Sequence, residues 1–391
     1  MRPAATWATT SDRPRGGGYA GPGPSGTPCR TPEEQEMKHS RMRAVGAITA
    51  VALLAAACGG GDDGGDAAPS GDGDTSEDGA AAADGGEGDP DPVTLSLVTS
   101  FPREAIEHAG LNLFLDNLEE NAPWIEIDYR GASEVMEATM MGQSVASGAV
   151  DMASVPPAYY VEQFPLAGSF HLSTLSPSQE REAGVFDWVA ERYREDFGVE
   201  YLGYVAAGIP FHLYLNDPIE APEDLAGRQI RVVQTYRAMV EELGGSPVTM
   251  PGTEVYTAME RGVVDGFGWA SVGVTFNGWD EVTDYEVDPG FYQMLLSLII
   301  NPNTWDGLDE LTQEVITQTM IDSEPQIVEL YEGLVAEERQ ARRDAGMELI
   351  TLEGAAAEQL VDVAYEQGWA DVESMTPDAA EFRERLDAAA R

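Results

Sequence analysis

The sequence predicts an α/β fold built on a parallel, doubly wound sheet, and three observations carry this. From Val93 onward, short apolar runs with alternating faces are separated by stretches with helical spacing. Between Gln229 and Phe267 the alternation condenses into a strand–helix–strand–helix–strand unit, which calls for parallel strands joined by right-handed crossovers. One long helical stretch, Asp309 to about Ala345, comes later and is interrupted only by Pro325.

A chain of 391 residues has room for one large or two medium domains, and a 43% hydrophobic content can fill a core. Acidic residues outnumber basic ones 69 to 22, giving a formal charge of −47, and Lys38 is the only lysine. Such a field repels nucleic acid and anionic membrane surfaces, so neither is expected as a partner. It also hints at a protein kept soluble in high salt. An anionic ligand would need a local positive site inside this negative shell. Cys29 and Cys58 are the only cysteines, and both lie near the start. The body therefore has no disulfide framework and no cysteine metal site.

Residues 1–36 are rich in Gly, Pro, Arg and Thr and read as disordered, or as residues ahead of the true start. Met37 opens a better start. Lys38, Arg41 and Arg43 precede the apolar run Ala44 to Ala57, so 37–57 is expected to be an export signal too short to span a bilayer comfortably. Cys58 follows Leu53-Leu54-Ala55-Ala56-Ala57, which resembles a bacterial lipobox, although Ala55 stands where leucine is usual. That resemblance implies lipidation of Cys58 and a membrane anchor. The other reading is an ordinary small-residue cleavage site with Cys58 incidental. Residues 58–92 form an acidic Gly-, Asp- and Ala-rich stretch that cannot bury enough surface to fold, and are expected to be a flexible tether.

Val93, Leu95 and Leu97 alternate as a first strand, Glu104 to Asn121 reads as a helix, and Ile125 to Tyr129 alternates again. Glu134 to Ser147 is helical, and Ala149 to Val155 is a strand. Phe101 and Tyr159 follow strands, so both are candidates to face a cleft. Tyr159 has a hydroxyl to offer a ligand oxygen, and packing under the loop is the alternative for each. Phe170 and His171 sit in a similar stretch with a weaker claim. His108 is expected at the surface or edge of the first helix. Glu180 to Phe197 reads as one helix, Tyr201 to Val205 and Phe211 to Leu215 as two strands, with a crossing near Gly208. Gly354 to Trp369 and Pro377 to Ala390 are expected as closing helices.

Within the condensed unit, Pro222 to Gly227 is a helical turn and Gln229 to Val233 a buried strand. A helix over Tyr236 to Leu243 stops at Gly244-Gly245. Pro247 to Met250 is the next strand, Thr253 is placed to cap a helix over Glu254 to Arg261, and Val263 to Phe267 is the third strand, ended by Gly268-Trp269. In doubly wound sheets ligands bind beyond the carboxyl ends of the strands. Arg231 and Trp269 lie at or near such ends. Gln234 follows in the loop, either bonding a ligand or facing solvent.

The segments PEDLAGRQIRV and GGSPVTMPGTEVYTAMERGVVDG, in that order and spacing, closely resemble the substrate-binding proteins of TRAP transporters, the DctP-like family. More loosely, the likeness runs from Val93 to the C-terminus through GAVDMASVPPAYY, GWDEVTDY and LIINPNTWDGLDELTQEVI. The resemblance implies a hinged, two-lobed fold of the periplasmic-binding-protein type with a long helix bracing both lobes. Lobe I would take 93–209 plus about 296–337, and lobe II 210–295 plus about 338–391. It implies that Arg231 forks onto a ligand carboxylate; the plain alternative is a protein carboxylate partner. A second ligand arginine of many members falls at Pro210 here, with His212 a conceivable substitute and a structural histidine the alternative. Trp269 resembles the subset that binds 2-oxo acids and related monocarboxylates; no metal and no cofactor is expected. The implied function is extracytoplasmic capture of a small organic acid for the small and large membrane subunits of a TRAP permease. A C4-dicarboxylate receptor, or a ligand-sensing lipoprotein, are the alternatives. No H-E-x-x-H, G-x-S-x-G or P-loop motif is present, and the four histidines are scattered, so catalysis is not expected.

Overall fold

The structure is a computed structural model that describes residues 90–391. The expected export signal, Cys58 and all but the last three residues of the expected tether lie outside them. No helix among the described residues is long and apolar enough to cross a membrane.

Among the described residues nine strands form one sheet: β1 (Val93–Thr99), β2 (Ile125–Gly131), β3 (Met152–Val155), β4 (Glu200–Leu215), β5 (Gln229–Val232), β6 (Ser246–Thr249), β7 (Gly266–Ala270), β8 (Tyr285–Ile300) and β9 (Glu348–Thr351). The order is β2-β1-β3-β8-β4-β7-β5-β6, with β9 beside β8. β1 is parallel to β2 and β3, and β5 is parallel to β6 and β7. Two doubly wound sets are therefore joined through an antiparallel centre of β8 and β4. The sheet is mixed, where the sequence suggested parallel strands alone, because β4 and β8 connect the two sets.

The centre was not legible in the sequence. Tyr201 to Val205 and Phe211 to Leu215 belong to one 16-residue strand, β4. Gly208 does not break it. Its φ of +74° forms a bulge, and its N–H bonds the Gln293 side chain at 3.0 Å rather than a ladder carbonyl. Pro210, with no N–H to offer, sits in the same irregular stretch. β8 is equally long, and Asp288 to Gly290 bulge out between the Leu213–Val287 and Phe211–Phe291 pairs.

Several helix limits shift for local reasons. The expected helix over Glu180 to Phe197 is Pro177–Glu182, then Val185–Arg192, then a π turn over Tyr193–Phe197. Gly184 in the left-handed region separates the first two, and Ser176 with Gln179 forms a capping box at the start. The first helix opens as a 3-10 turn at Ile106 and becomes α-helical at Ala109. His108, expected at an edge, is fully buried, with Nε2 3.1 Å from Ser154 Oγ. Thr253 is not a cap: it lies inside a 3-10 turn, and Glu254 is the residue before the helix Val255–Glu260. Val263 still belongs to the helix end, since its N–H bonds Ala258 O at 2.8 Å. The third strand therefore starts later than expected, at Gly266, and contains Trp269.

The helix Glu310–Ala345 has 36 residues, so it is about 54 Å long. Asp309 caps it by accepting from the Thr312 N–H, and Pro325 is accommodated inside it. Ile327 and Tyr331 bury against Gly110 of the helix Ala109–Asn121, where a Cβ would sit 2.2 Å from the Val205 carbonyl oxygen of β4. Near its other end, Arg342 pairs with Glu286 of β8 at 3.0 Å. This one helix thus braces both ends of the central strands.

Candidate functional site

Arg231 is the third residue of β5, and its side chain is 1% exposed. A guanidinium removed from water ordinarily has a carboxylate beside it. Arg342, also 1% exposed, follows that rule, with Glu286 at 3.0 Å and Glu338 at 3.2 Å. Arg231 does not: among the described residues it forms no ion pair. Its Nε donates to Met250 O at 3.0 Å, and its Nη1 makes long bonds of 3.3 Å to Tyr236 Oη and Gly268 O. Nη2 has no partner among the described residues. Tyr236 donates its own hydroxyl to Gly268 O at 2.6 Å, so the tyrosine and the β7 backbone together hold the fork in place. The guanidinium carbon lies 5.3 Å from the centre of the Trp269 ring, within cation–π range.

Arg231 opens into a cleft of about 650 Å³, a figure that includes its mouth. Phe101, Tyr159 and His171 line one side, from the segments after β1 and β3. Arg231, Tyr236 and Trp269 line the other, from β5, the turn after it and β7. Phe211 of β4 and Met294 of β8 form the floor. Apart from a few polar tips the wall is apolar, as ligand sites commonly are. Trp269 is fixed by an Nε1 bond to Val272 O at 3.1 Å and by Trp279, edge-on at 4.7 Å.

Four of the residues singled out in the sequence therefore meet in one place: Phe101, Tyr159, Arg231 and Trp269. Two do not. Gln234 is exposed, with its neighbours Val233 and Thr235 on the cleft wall instead. His212 is buried on the other side of β4, its Nδ1 2.9 Å from Val287 O and its Nε2 3.3 Å from Arg339. Strand alternation explains this, since Phe211 points into the cleft and the next residue must point away. Tyr236 escaped the sequence reading: its role depends on meeting Gly268 of a strand 32 residues on. His171, given a weaker claim, is on the wall.

Burial raises the pKa of Tyr159 above its usual value, against an opposing pull from Arg231. Its hydroxyl is thus protonated at neutral pH and can donate. Burial holds His171 down to about 3, so its imidazole is neutral. Glu107, beside the cleft, is raised to about 7 by desolvation, with a smaller push from Glu338. A Cβ on Gly273 would lie 2.5 Å from its Oε1, so the carboxyl rests on the loop that follows β7. A carboxyl with a raised folded pKa contributes stability below the unfolded value, and that contribution is lost as pH rises through about 7. Glu107→Gln is accordingly expected to raise the melting temperature at pH 8.5 and to change it little at pH 4. Thermal unfolding at both values checks this; an equal shift at each would show that Glu107 does not titrate in the fold.

Two sets of parallel strands flanking a cleft, bridged by long central strands and a bracing helix, define a two-lobed α/β binding protein. The family follows from comparison: residues 97–371 match the bacterial extracellular solute-binding proteins of family 7, DctP, and the chain belongs to that family. A TRAP periplasmic solute-binding protein of Desulfovibrio desulfuricans, solved with bound sn-glycerol-3-phosphate, shares the fold with a TM-score of 0.69. It is 20% identical, and the match covers 76% of this chain and 97% of that one. A solute-binding protein of Roseobacter denitrificans is 27% identical over 194 residues, 49% of this chain and 59% of its own length. A monocarboxylate 2-oxoacid-binding periplasmic protein of Nostoc is 21% identical over 216 residues, 53% of this chain and 59% of its own. The chain thus spans about three fifths of the length of these curated relatives.

Proposed function

We infer that this protein captures a small organic monocarboxylate outside the cytoplasm, a 2-oxo acid or close relative, and delivers it to the membrane subunits of a TRAP permease. The observation that carries the reading is Arg231: a buried guanidinium without an acidic partner among the described residues, facing an apolar cleft. A carboxylate entering there supplies the missing charge through a planar fork, in a place where exclusion of water strengthens the pair. The name of the Nostoc relative fits this chemistry. A diacid fits less well, because Arg231 is the only cation among the described residues lining the cleft, and Pro210 supplies no second one.

In this reading the lobes are 93–209 plus about 296–337 and 210–295 plus about 338–391. They hinge at β4, β8 and the long helix, and close on the ligand. Lipidated Cys58 anchors the protein and the acidic stretch to residue 92 spaces it from the membrane. The test is calorimetric titration of a carboxylate panel: a branched 2-oxo acid should bind at least tenfold more tightly than succinate. If no carboxylate binds, the reading is wrong. Trp269→Ala should weaken 2-oxoisocaproate by roughly tenfold, as loss of an aromatic wall costs about 1–2 kcal/mol. Succinate should weaken less; the reverse ranking removes Trp269 from the role of wall.

A further inference from the structure

His171 is the last residue but one of the 3-10 segment Pro165–Leu172 and lines the same cleft as Arg231. It is 9% exposed, and its Nε2 is buried without a hydrogen-bond partner among the described residues. The ring is pinned edge-on against Tyr292, 4.6 Å away, and Tyr292 is itself tied through its hydroxyl to the Ala364 carbonyl. The imidazole therefore cannot swing freely to seek a partner.

The other two buried histidines show that this is unusual in the molecule. His108 has Ser154, and His212 has the Val287 carbonyl. A neutral imidazole offers one N–H and one lone pair, and a buried polar group left unpaired in a native fold needs an explanation. Nε2 itself has no surface open to the cleft, so a ligand there meets the ring through Nδ1, which is not closed off and also has no partner among the described residues. The remaining polar groups on its wall divide into two sets. Gln293 and the Tyr236 hydroxyl are committed to protein partners: Gln293 to Ser173 O at 2.7 Å and the Gly208 N–H at 3.0 Å, Tyr236 to Gly268 O. Tyr159, Thr235 and His171 have no side-chain partner among the described residues. The cleft can thus satisfy a ligand with few oxygens beyond its carboxylate, and a polyhydroxylated acid would leave most of its own unpaired.

We propose that His171 is a specificity-determining residue that hydrogen-bonds an oxygen on the carbon skeleton of the ligand whose carboxylate Arg231 holds, so that the cleft selects oxo- or hydroxy-substituted monocarboxylates over plain ones. This rests on the carboxylate reading and adds to it the group that recognises the far part of the molecule. Because burial keeps the ring neutral, His171 contributes direction rather than charge, and a second carboxylate finds no counter-charge in it.

The test titrates the full chain, as wild type, His171→Leu and His171→Gln, with 2-oxoisocaproate, 2-hydroxyisocaproate and 4-methylpentanoate. Wild type should favour at least one oxygenated acid over 4-methylpentanoate by tenfold or more, equally at pH 5.5 and pH 8. His171→Leu should cut that preference below threefold while binding 4-methylpentanoate within threefold of wild type. His171→Gln, which keeps a donor and an acceptor, should retain a preference above threefold, and so separates recognition from packing if the leucine variant is unstable. Equal losses for all three acids, or a preference that survives in His171→Leu, would overturn the proposal. Arg231→Ala separates the two readings: wild-type affinity for all three acids in that variant defeats the carboxylate reading, whereas Arg231-dependent binding without preference defeats only the role of His171.

Discussion

Arg231→Ala is expected to lose roughly 10²- to 10⁴-fold in affinity for a monocarboxylate, since leaving one member of a buried charge pair alone costs about 3–5 kcal/mol. The ligand-free protein should keep its melting temperature or gain slightly. Among the described residues its guanidinium hydrogen-bonds two backbone carbonyls and a tyrosine hydroxyl, two of the three contacts at 3.3 Å, and has the Trp269 ring at 5.3 Å, so removing it forfeits little. This pairing of outcomes is what separates a ligand residue from a structural one. Arg342→Ala serves as the contrast, because it leaves Glu338 without its ion-pair partner and takes from Glu286 one of its two arginines, so it should lower the melting temperature by many degrees. Calorimetry and thermal unfolding with and without ligand read both effects. Unchanged affinity in Arg231→Ala would take this side chain out of the site.

Gly268→Ala should come next in size. A Cβ at this position would stand 2.4 Å from Tyr236 Cε2 and 3.0 Å from its hydroxyl oxygen. The ring cannot easily retreat, as it is buried against Phe211 and Phe291 at centroid distances of 5.9 and 6.2 Å. Overpacking of this kind costs about 1–3 kcal/mol. The shifted ring would also release its bond to Gly268 O and its hold on Arg231. A single added methyl should therefore weaken carboxylate binding by roughly tenfold or more, consistent with losing 1–2 kcal/mol of preorganisation. Tyr236→Phe keeps the ring and removes only the hydroxyl, so it should keep most of the stability and lose part of the affinity. If Gly268→Ala matches wild type in both respects, Tyr236 does not position the guanidinium.

What could be read from the chain follows the range of the interactions involved. The unit around β5, β6 and β7 was legible because its strands, helices and glycine stops are local, and Arg231 could be placed at a strand end with a role suggested by the family likeness. β8 and the continuity of β4 were not legible. Gly208, Pro210, Pro289 and Gly290 look like breaks, and only pairing with the other strand turns them into bulges. The helix over Glu180 to Phe197 failed for the opposite reason, since Gly184 looked tolerable within a periodic run and proved to be a real stop. In the site, Phe101, Tyr159 and Trp269 could be found from their places beside strand ends. The alternation of β4 put Phe211 rather than His212 on the wall, a choice that needs the sheet orientation. Tyr236 carries no local mark at all, being defined by the carbonyl it reaches, and His171 could be given only a weak claim from its place in the chain, since what distinguishes it is a partner it lacks.

The central strands also govern the order in which the molecule can be completed. Met152 to Val155 pair with Ser297 to Ile300, and Glu200 pairs with Ile300 as well. The N-terminal strands thus emerge during synthesis nearly 150 residues ahead of the segment that closes their side of the sheet. Until that segment arrives, the early part of the chain has no finished structure to resist being threaded. Completion of the sheet on that side therefore waits for a segment made late in synthesis.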